Sequence, residues 1–219
     1  RFECEWIIST MPITSLIKGL KDVPEKVHKA ANALRFRNTI LVYLLIDSDE
    51  LFPDQWLYIH EPNVLHGRVT NFRNWSPYIV GNDKSTVICL EFWCFDEDPI
   101  WNKNESELIN IASKEISKID LIKESSIIEG KLVKIPKCYP VYEQGYKKHL
   151  AILQKYIDGI HGLVPIGRYG SFKYNNQDHS LLMGIMAAES ISMNKKPSLW
   201  ESLHHFSKLK QPLHLYDEQ

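Results

Sequence analysis

The stretch that most constrains this chain lies near residue 170. A short apolar run at 163–166 leads into Gly167-Arg168-Tyr169-Gly170-Ser171-Phe172-Lys173-Tyr174-Asn175-Asn176-Gln177-Asp178-His179-Ser180, and residues 181–190 are again apolar. That order reads as a strand, a turn rich in glycine and amides, and the start of a buried helix. A helix begins with unpaired N–H groups and a partial positive charge aimed into the preceding turn. The usual occupant of such a turn is a phosphate, a carboxylate or an electron-rich ring edge. The segment is therefore expected to hold part of an anionic cofactor.

The 219 residues suffice for one large domain or two small ones. Charge is nearly balanced, with 26 Lys+Arg against 27 Asp+Glu, which argues against a nucleic-acid or membrane-surface role driven by bulk electrostatics. No apolar run is long enough to cross a bilayer and no secretory leader is recognisable. Cys4, Cys89, Cys94 and Cys138 lack metal-ligand spacing. They read as reduced, mostly buried thiols of a cytoplasmic protein. His204, His205 and His214 match no zinc pattern and read as part of a polar tail. No nucleophile elbow supports Ser-His-Asp hydrolysis.

Residues 6–12 read as a strand closed by a Thr-x-Pro turn, followed by helices at 13–20 and 23–34. Residues 36–46 read as a strand buried on both sides, 55–60 and 67–72 as paired strands, 74–84 as a turn-rich loop, and 86–95 as another strand. Asn104 with Glu107 three residues on forms a capping-box signature for the next helix. A strand at 127–135, an extended linker at 139–142 and an amphipathic helix at 145–157 follow. The expected class is α+β, derived from α/β: a β-sheet with flanking helices, plus the terminal strand and helix of an incomplete Rossmann-like layer. The chain opens on Arg1 directly into strand-like sequence, and no G-x-G-x-x-G or P-loop occurs in it. It is expected to be the C-terminal part of something longer.

Two blocks resemble a known group. The pattern G-R-x-G-x-F-x-Y-N-N-Q-D-H-S-x-x-x-G from Gly167 to Gly184 resembles the C-terminal FAD-contacting segment of the flavin amine oxidase and protoporphyrinogen oxidase superfamily. Gly167-Arg168, with Tyr139-Pro140 upstream, resembles the UDP-galactopyranose mutase branch. The opening I-I-S-T-M-P-I is similar to the strand and Thr-x-Pro turn that close the dinucleotide-binding layer of that superfamily. The runs N-T-I-L-V-Y-L-L-I and G-R-V-T-N-F-R-N-W-S-P are similar to its substrate-domain sheet. The resemblance implies an FAD-dependent oxidoreductase-like protein acting on a small-molecule substrate. Its FAD domain would be discontinuous, and the N-terminal half that seats the pyrophosphate lies outside this chain. On that basis residues 1–22 end the dinucleotide-binding layer, 23–140 form a substrate-binding domain, 141–192 return to the FAD layer and 193–219 are a peripheral tail. A redox-neutral, flavin-dependent nucleotide-sugar mutase is one alternative. A non-catalytic fold remnant without cofactor is another.

Individual residues carry paired readings. Gly167 and Gly170 permit close backbone approach to a ligand or simply make a turn. Arg168 offers a fork of donors to a phosphate, a flavin carbonyl or a structural partner. One of Asn175, Asn176 and Asp178 is expected to cap the helix. Asp178 is also a candidate acceptor for cofactor hydroxyls, with the N–H groups of His179 and Ser180 facing the flavin edge. Tyr174 belongs to the same cofactor set by resemblance. His179, in a first helical turn, is a packing residue or an acid–base group. Tyr139 and Tyr142, on an extended segment, are substrate-pocket candidates or a packed aromatic linker. Arg68 and Arg73, beside Asn71 and Trp75, line a substrate pocket or make ordinary cation–π packing.

Overall fold

Prolines set where the first helices begin. β1 (Ile7–Ser9) ends in Thr10-Met11-Pro12, and Pro12 stands at the N-cap of α1 (Ile13–Gly19). Pro24 does the same for α2 (Glu25–Asn32). A residue without an N–H loses nothing at a helix start, where that group has no intrahelical partner. α2 buries Val27, Ala30 and Ala31 along one stripe, as the three-and-four spacing predicts.

A computed structural model describes residues 3–80, 83–197 and 200. The chain divides into two units, one from 1–35 with 139–219 and the other from 36–138. His204, His205, His214 and most of the expected tail lie outside the described residues.

The second unit is built on β2 (Phe36–Ile46), β3 (Trp56–Tyr58), β4 (Arg68–Asn71), β5 (Thr86–Cys94) and β6 (Ile127–Pro140), in the order β3-β4-β5-β2-β6. β2 pairs antiparallel with β5 along its length, Thr39 opposite Trp93 and Tyr43 opposite Cys89. One face of β2 is fully buried through Ile40, Val42, Leu44 and Ile46, against Ile88, Leu90 and Phe92. Leu41, Tyr43 and Leu45 on the other face are only half-buried. The expectation of a strand enclosed on both sides is corrected to one-sided burial, the usual condition of an antiparallel sheet. Burial of each such aliphatic side chain is worth about 1.5–3 kcal/mol.

α4 (Glu105–Lys118) covers the buried face with Leu108, Ala112 and Ile116. Its start is the expected capping box. The Asn104 side chain accepts from the Glu107 N–H at 3.0 Å, and Glu107 accepts from the Asn104 N–H at 2.9 Å. Asn104→Ala is expected to cost about 1 kcal/mol in urea unfolding. The Asn104 N–H holds the Glu107 carboxyl below its usual range, with help from Lys103. A depressed folded value means that this contribution is complete above the usual carboxylate range and fades as pH falls through the depressed one. Glu107→Gln should therefore lie below the parent in stability at neutral pH and converge with it in acid.

Two local expectations change. The 74–84 loop contains a short helix, α3 (Pro77–Val80). β6 runs past 135 into the first two residues of the expected linker, ending at Pro140, which is possible because a terminal edge position needs no donated N–H from proline. Burial raises the Cys89 thiol to about 12 and the Cys94 thiol to about 11, so neither is a nucleophilic thiolate at neutral pH. All four cysteines are free. Among the described residues, no helix is long and apolar enough to cross a membrane.

The first unit holds α5 (Tyr146–Asp158), β7 (Leu163–Pro165), α6 (Gly167–Gly170) and α7 (Gln177–Ser192). α2, which the sequence reading groups with the inserted domain from residue 23, packs on α1 and α5 in this unit. β1 and β7 pair in parallel, Ile7 opposite Leu163 and Ser9 opposite Pro165. The Ile7 N–H donates to the Gly162 carbonyl at 2.7 Å, and the Ile166 N–H to the Ser9 carbonyl at 2.9 Å. α7 is apolar nearly all round. Met183 and Ala187 pack with Val164 and Ile166 of the β7 region, while Leu181 is 71% and Ile185 55% exposed.

Candidate functional site

The parallel pairing brings the C-terminal ends of β1 and β7 together, and the chain leaves both there. After β7, Gly167 adopts φ +76, the left-handed region that glycine enters without a Cβ clash. One helical turn, α6, follows. It is closed by the Ser171 N–H and hydroxyl, both donating to the Gly167 carbonyl at 3.0 and 2.6 Å. A Cβ on Gly167 would meet nothing within 4 Å, whereas one on Gly170 would lie 2.9 Å from the Ser9 carbonyl oxygen. Gly170 is thus needed for close packing on β1, and Gly167 borders open space.

That space is a cavity of about 540 Å³ at the start of α7. Gly167, Arg168, Asn175, Asn176 and Ser180 of the expected cofactor set line it. Thr10, Tyr169, Gln177 and Leu181 line it as well. Sequence reading missed these four. The Thr-x-Pro turn after β1 is the signal that would have found Thr10, given parallel pairing with β7.

Arg168 fixes the loop between α6 and α7. Its Nε and Nη2 both donate to the Asn175 carbonyl, the first at 3.1 Å. The guanidinium carbon lies 5.1 Å from the Tyr139 ring centre and 4.7 Å from that of Tyr174, within cation–π range. Asn175 is 4% exposed. Its side chain accepts from the Ser180 hydroxyl at 3.5 Å and faces the Met183 sulfur.

Asn176 is the residue that stands at the N-cap of α7. Asp178, two positions further in, is exposed and lies outside the cavity lining. Its carboxyl is held below the usual range, first by the His179 N–H and then by the His179 ring. His179 Nδ1 lies 2.9 Å from the Asp178 carboxylate and 3.4 Å from the Asn176 nitrogen. One ring nitrogen serves only one of these at a time, as donor to the first or acceptor from the second. The Gln177 N–H has no protein acceptor among the described residues.

The remaining candidates sit elsewhere. Tyr174 and Tyr142 line a different cavity of the first unit, of about 620 Å³. The Tyr142 hydroxyl accepts from the Tyr174 N–H at 2.6 Å. Burial raises the Tyr142 phenol above its ordinary value, although that N–H opposes the shift. Arg68 and Arg73 belong to the second unit and are engaged within it. Arg68 makes two 2.7 Å bonds to Glu91, its cross-strand partner, and lies over the Tyr58 and Trp93 rings. Arg73 donates to the Thr86 hydroxyl and to the Asp83 and Ser85 carbonyls. Trp75 packs on Trp56.

The cavity therefore offers backbone and guanidinium donors, the amide residues Asn175, Asn176 and Gln177, and the hydroxyl residues Thr10, Tyr169 and Ser180. It presents no nucleophile paired with a base. It can bind and orient a group that accepts hydrogen bonds.

No protein-family model matches the chain, and no curated protein matches it in sequence. Among solved structures, reduced UDP-galactopyranose mutase is similar with a TM-score of 0.75 and 23% identity, over 90% of this chain and 42% of that one. A protein described as a protoporphyrinogen oxidase from Exiguobacterium sp. 255-15 is similar with a TM-score of 0.66 and 13% identity, over 87% of this chain and 41% of that one. The likeness is one of mixed helix-and-sheet fold, and this chain spans about two fifths of the length of either protein.

Proposed function

We propose that this chain is part of an FAD-dependent oxidoreductase-like protein, and that an edge of the flavin rests on the cavity at the start of α7. The observation that carries this reading is position: the cavity lies where parallel strands β1 and β7 end and a long helix begins. Open α/β sheets take their ligands at that place. Bound FAD would supply hydride chemistry that no side chain here provides.

The residues present fit a neutral, acceptor-rich edge better than a phosphate. Gly167 leaves the wall open, and the Gln177 N–H and the third nitrogen of Arg168 have no protein acceptor among the described residues. The Asp178 carboxylate stands in the first turn of α7, so a phosphate on the same turn would meet a like charge. Donors and the helix dipole remain available to a carbonyl edge on which charge builds.

We assign the rest of the cofactor's binding to a βαβ portion outside this chain. Parallel sheets are normally covered on both faces, yet β1 pairs only with β7 among the described residues. α7 keeps Leu181 and Ile185 exposed on its far side. Such a helix, apolar all round, belongs inside a larger body.

Purified polypeptide containing this chain together with that portion is expected to carry equimolar flavin, with near-ultraviolet and blue absorption bands that bleach with dithionite. A colourless protein that takes up no added FAD contradicts the reading. A redox-neutral mutase is the second reading, supported by the fold shared with UDP-galactopyranose mutase. Turnover of substrate without consumption of an electron acceptor would favour it over net oxidation.

A further inference from the structure

The first unit contains a second cavity, of about 620 Å³, whose walls differ from those at the start of α7. Tyr142, Tyr146, Phe172 and Tyr174 supply aromatic surface, and Lys147 and Lys173 supply the charge. Trp200 lines it too, with its Nε1 donating to Asp158 at 3.0 Å. The rings hold one another in place. Tyr142 stacks on Tyr146 at 4.7 Å between centres, and both meet Phe172 edge-on or tilted at 6.2 and 6.1 Å. The Tyr142 hydroxyl is fixed by the Tyr174 N–H.

Neither lysine has a carboxylate or other side-chain partner among the described residues. Lys173 is half-buried, and burial alone pulls its ammonium below the ordinary value. An ammonium without a carboxylate partner can make a charge-assisted hydrogen bond to an anion that enters beside it. Rigid aromatic walls accept a planar ring by stacking at low entropic cost.

We propose that this cavity is a binding site for a planar aromatic anion, the ring stacking on the tyrosines and the phosphate, carboxylate or sulfonate paired with Lys173 and Lys147. The site is independent of the flavin reading. It shares no lining residue with the cavity at the start of α7.

The test is calorimetric titration of the polypeptide that contains this chain and the complementing portion with 1-naphthyl phosphate and with uncharged 1-naphthol, each with and without saturating FAD. Saturable one-to-one binding of the phosphate is expected, at least tenfold tighter than the naphthol and unchanged by FAD. Lys173→Met should weaken it at least tenfold and Lys173→Arg much less, with near-ultraviolet circular dichroism unchanged in both. Lys147→Met should weaken it to a smaller degree, since Lys147 is the more exposed. Absence of saturable binding, equal affinity for phosphate and naphthol, indifference to Lys173→Met, or competition by FAD would each overturn the proposal.

Discussion

Gly162→Ala should be among the most destabilising single substitutions in the first unit, at about 2–5 kcal/mol. Two costs add. Gly162 has φ +72, where a residue with a Cβ loses about 1–2 kcal/mol. The new Cβ would also stand 2.2 Å from the Glu5 carbonyl oxygen, and overpacking of this kind costs about 1–3 kcal/mol. The obstacle is backbone, so no side chain can swing away. Nor can the segment retreat easily, because the Gly162 carbonyl accepts the Ile7 N–H that starts the β1–β7 pair. Gly167→Ala is the internal control. It has the same sign of φ but open space around its Cβ, so only the strain of about 1–2 kcal/mol is expected. Urea denaturation of both variants gives the difference. Equal losses would show that the approach of Glu5 to Gly162 is not a constraint.

Arg168→Met is expected to cost about 1.5–5 kcal/mol and to loosen residues 171–176. The fork of Arg168 satisfies the carbonyl of buried Asn175. Removing a charged donor from a buried acceptor costs about 1–3 kcal/mol, and losing the cation beside the Tyr139 and Tyr174 rings adds about 0.5–2 kcal/mol. Arg168→Lys should recover only part, because one ammonium cannot reproduce a planar fork. Unfolding curves combined with proteolysis of the 171–176 loop measure both effects. If Arg168 served only a ligand, the ligand-free variant would stay within about 0.5 kcal/mol of the parent, as exposed substitutions do.

These two residues show what could be read from the sequence. The Gly167–Ser180 block announced a strand, a turn and a helix start, and the structure has that order. Its local pattern did not reveal that Arg168 turns back onto Asn175, or that Thr10 lies across the cavity. Both depend on which strand ends meet, and the pairing of β1 with β7 joins segments far apart in sequence. The same limit explains Arg68. Beside Arg73 it reads as pocket lining or as cation–π packing; it packs over Tyr58 and Trp93, and its partner Glu91 stands opposite it on the neighbouring strand. Elements set by local chemistry were legible: β2 from its β-branched run, α4 from Asn104 and Glu107, and the helix starts from Pro12 and Pro24. The extension of β6 to Pro140 was not. Proline usually marks an ending, and only the edge position of this strand in the sheet makes it tolerable.

On the function proposed above, the open space at the start of α7 receives the flavin. Thr10 is exposed at its rim, so Thr10→Trp adds bulk there without disturbing the core. Flavin content and melting temperature measured together, in the polypeptide that includes the complementing portion, test the claim most directly. Equimolar FAD is expected in the parent and a loss of at least tenfold in FAD affinity in Thr10→Trp, with the apoprotein melting temperature unchanged. Full FAD retention by Thr10→Trp, or a parent that binds none, would contradict it.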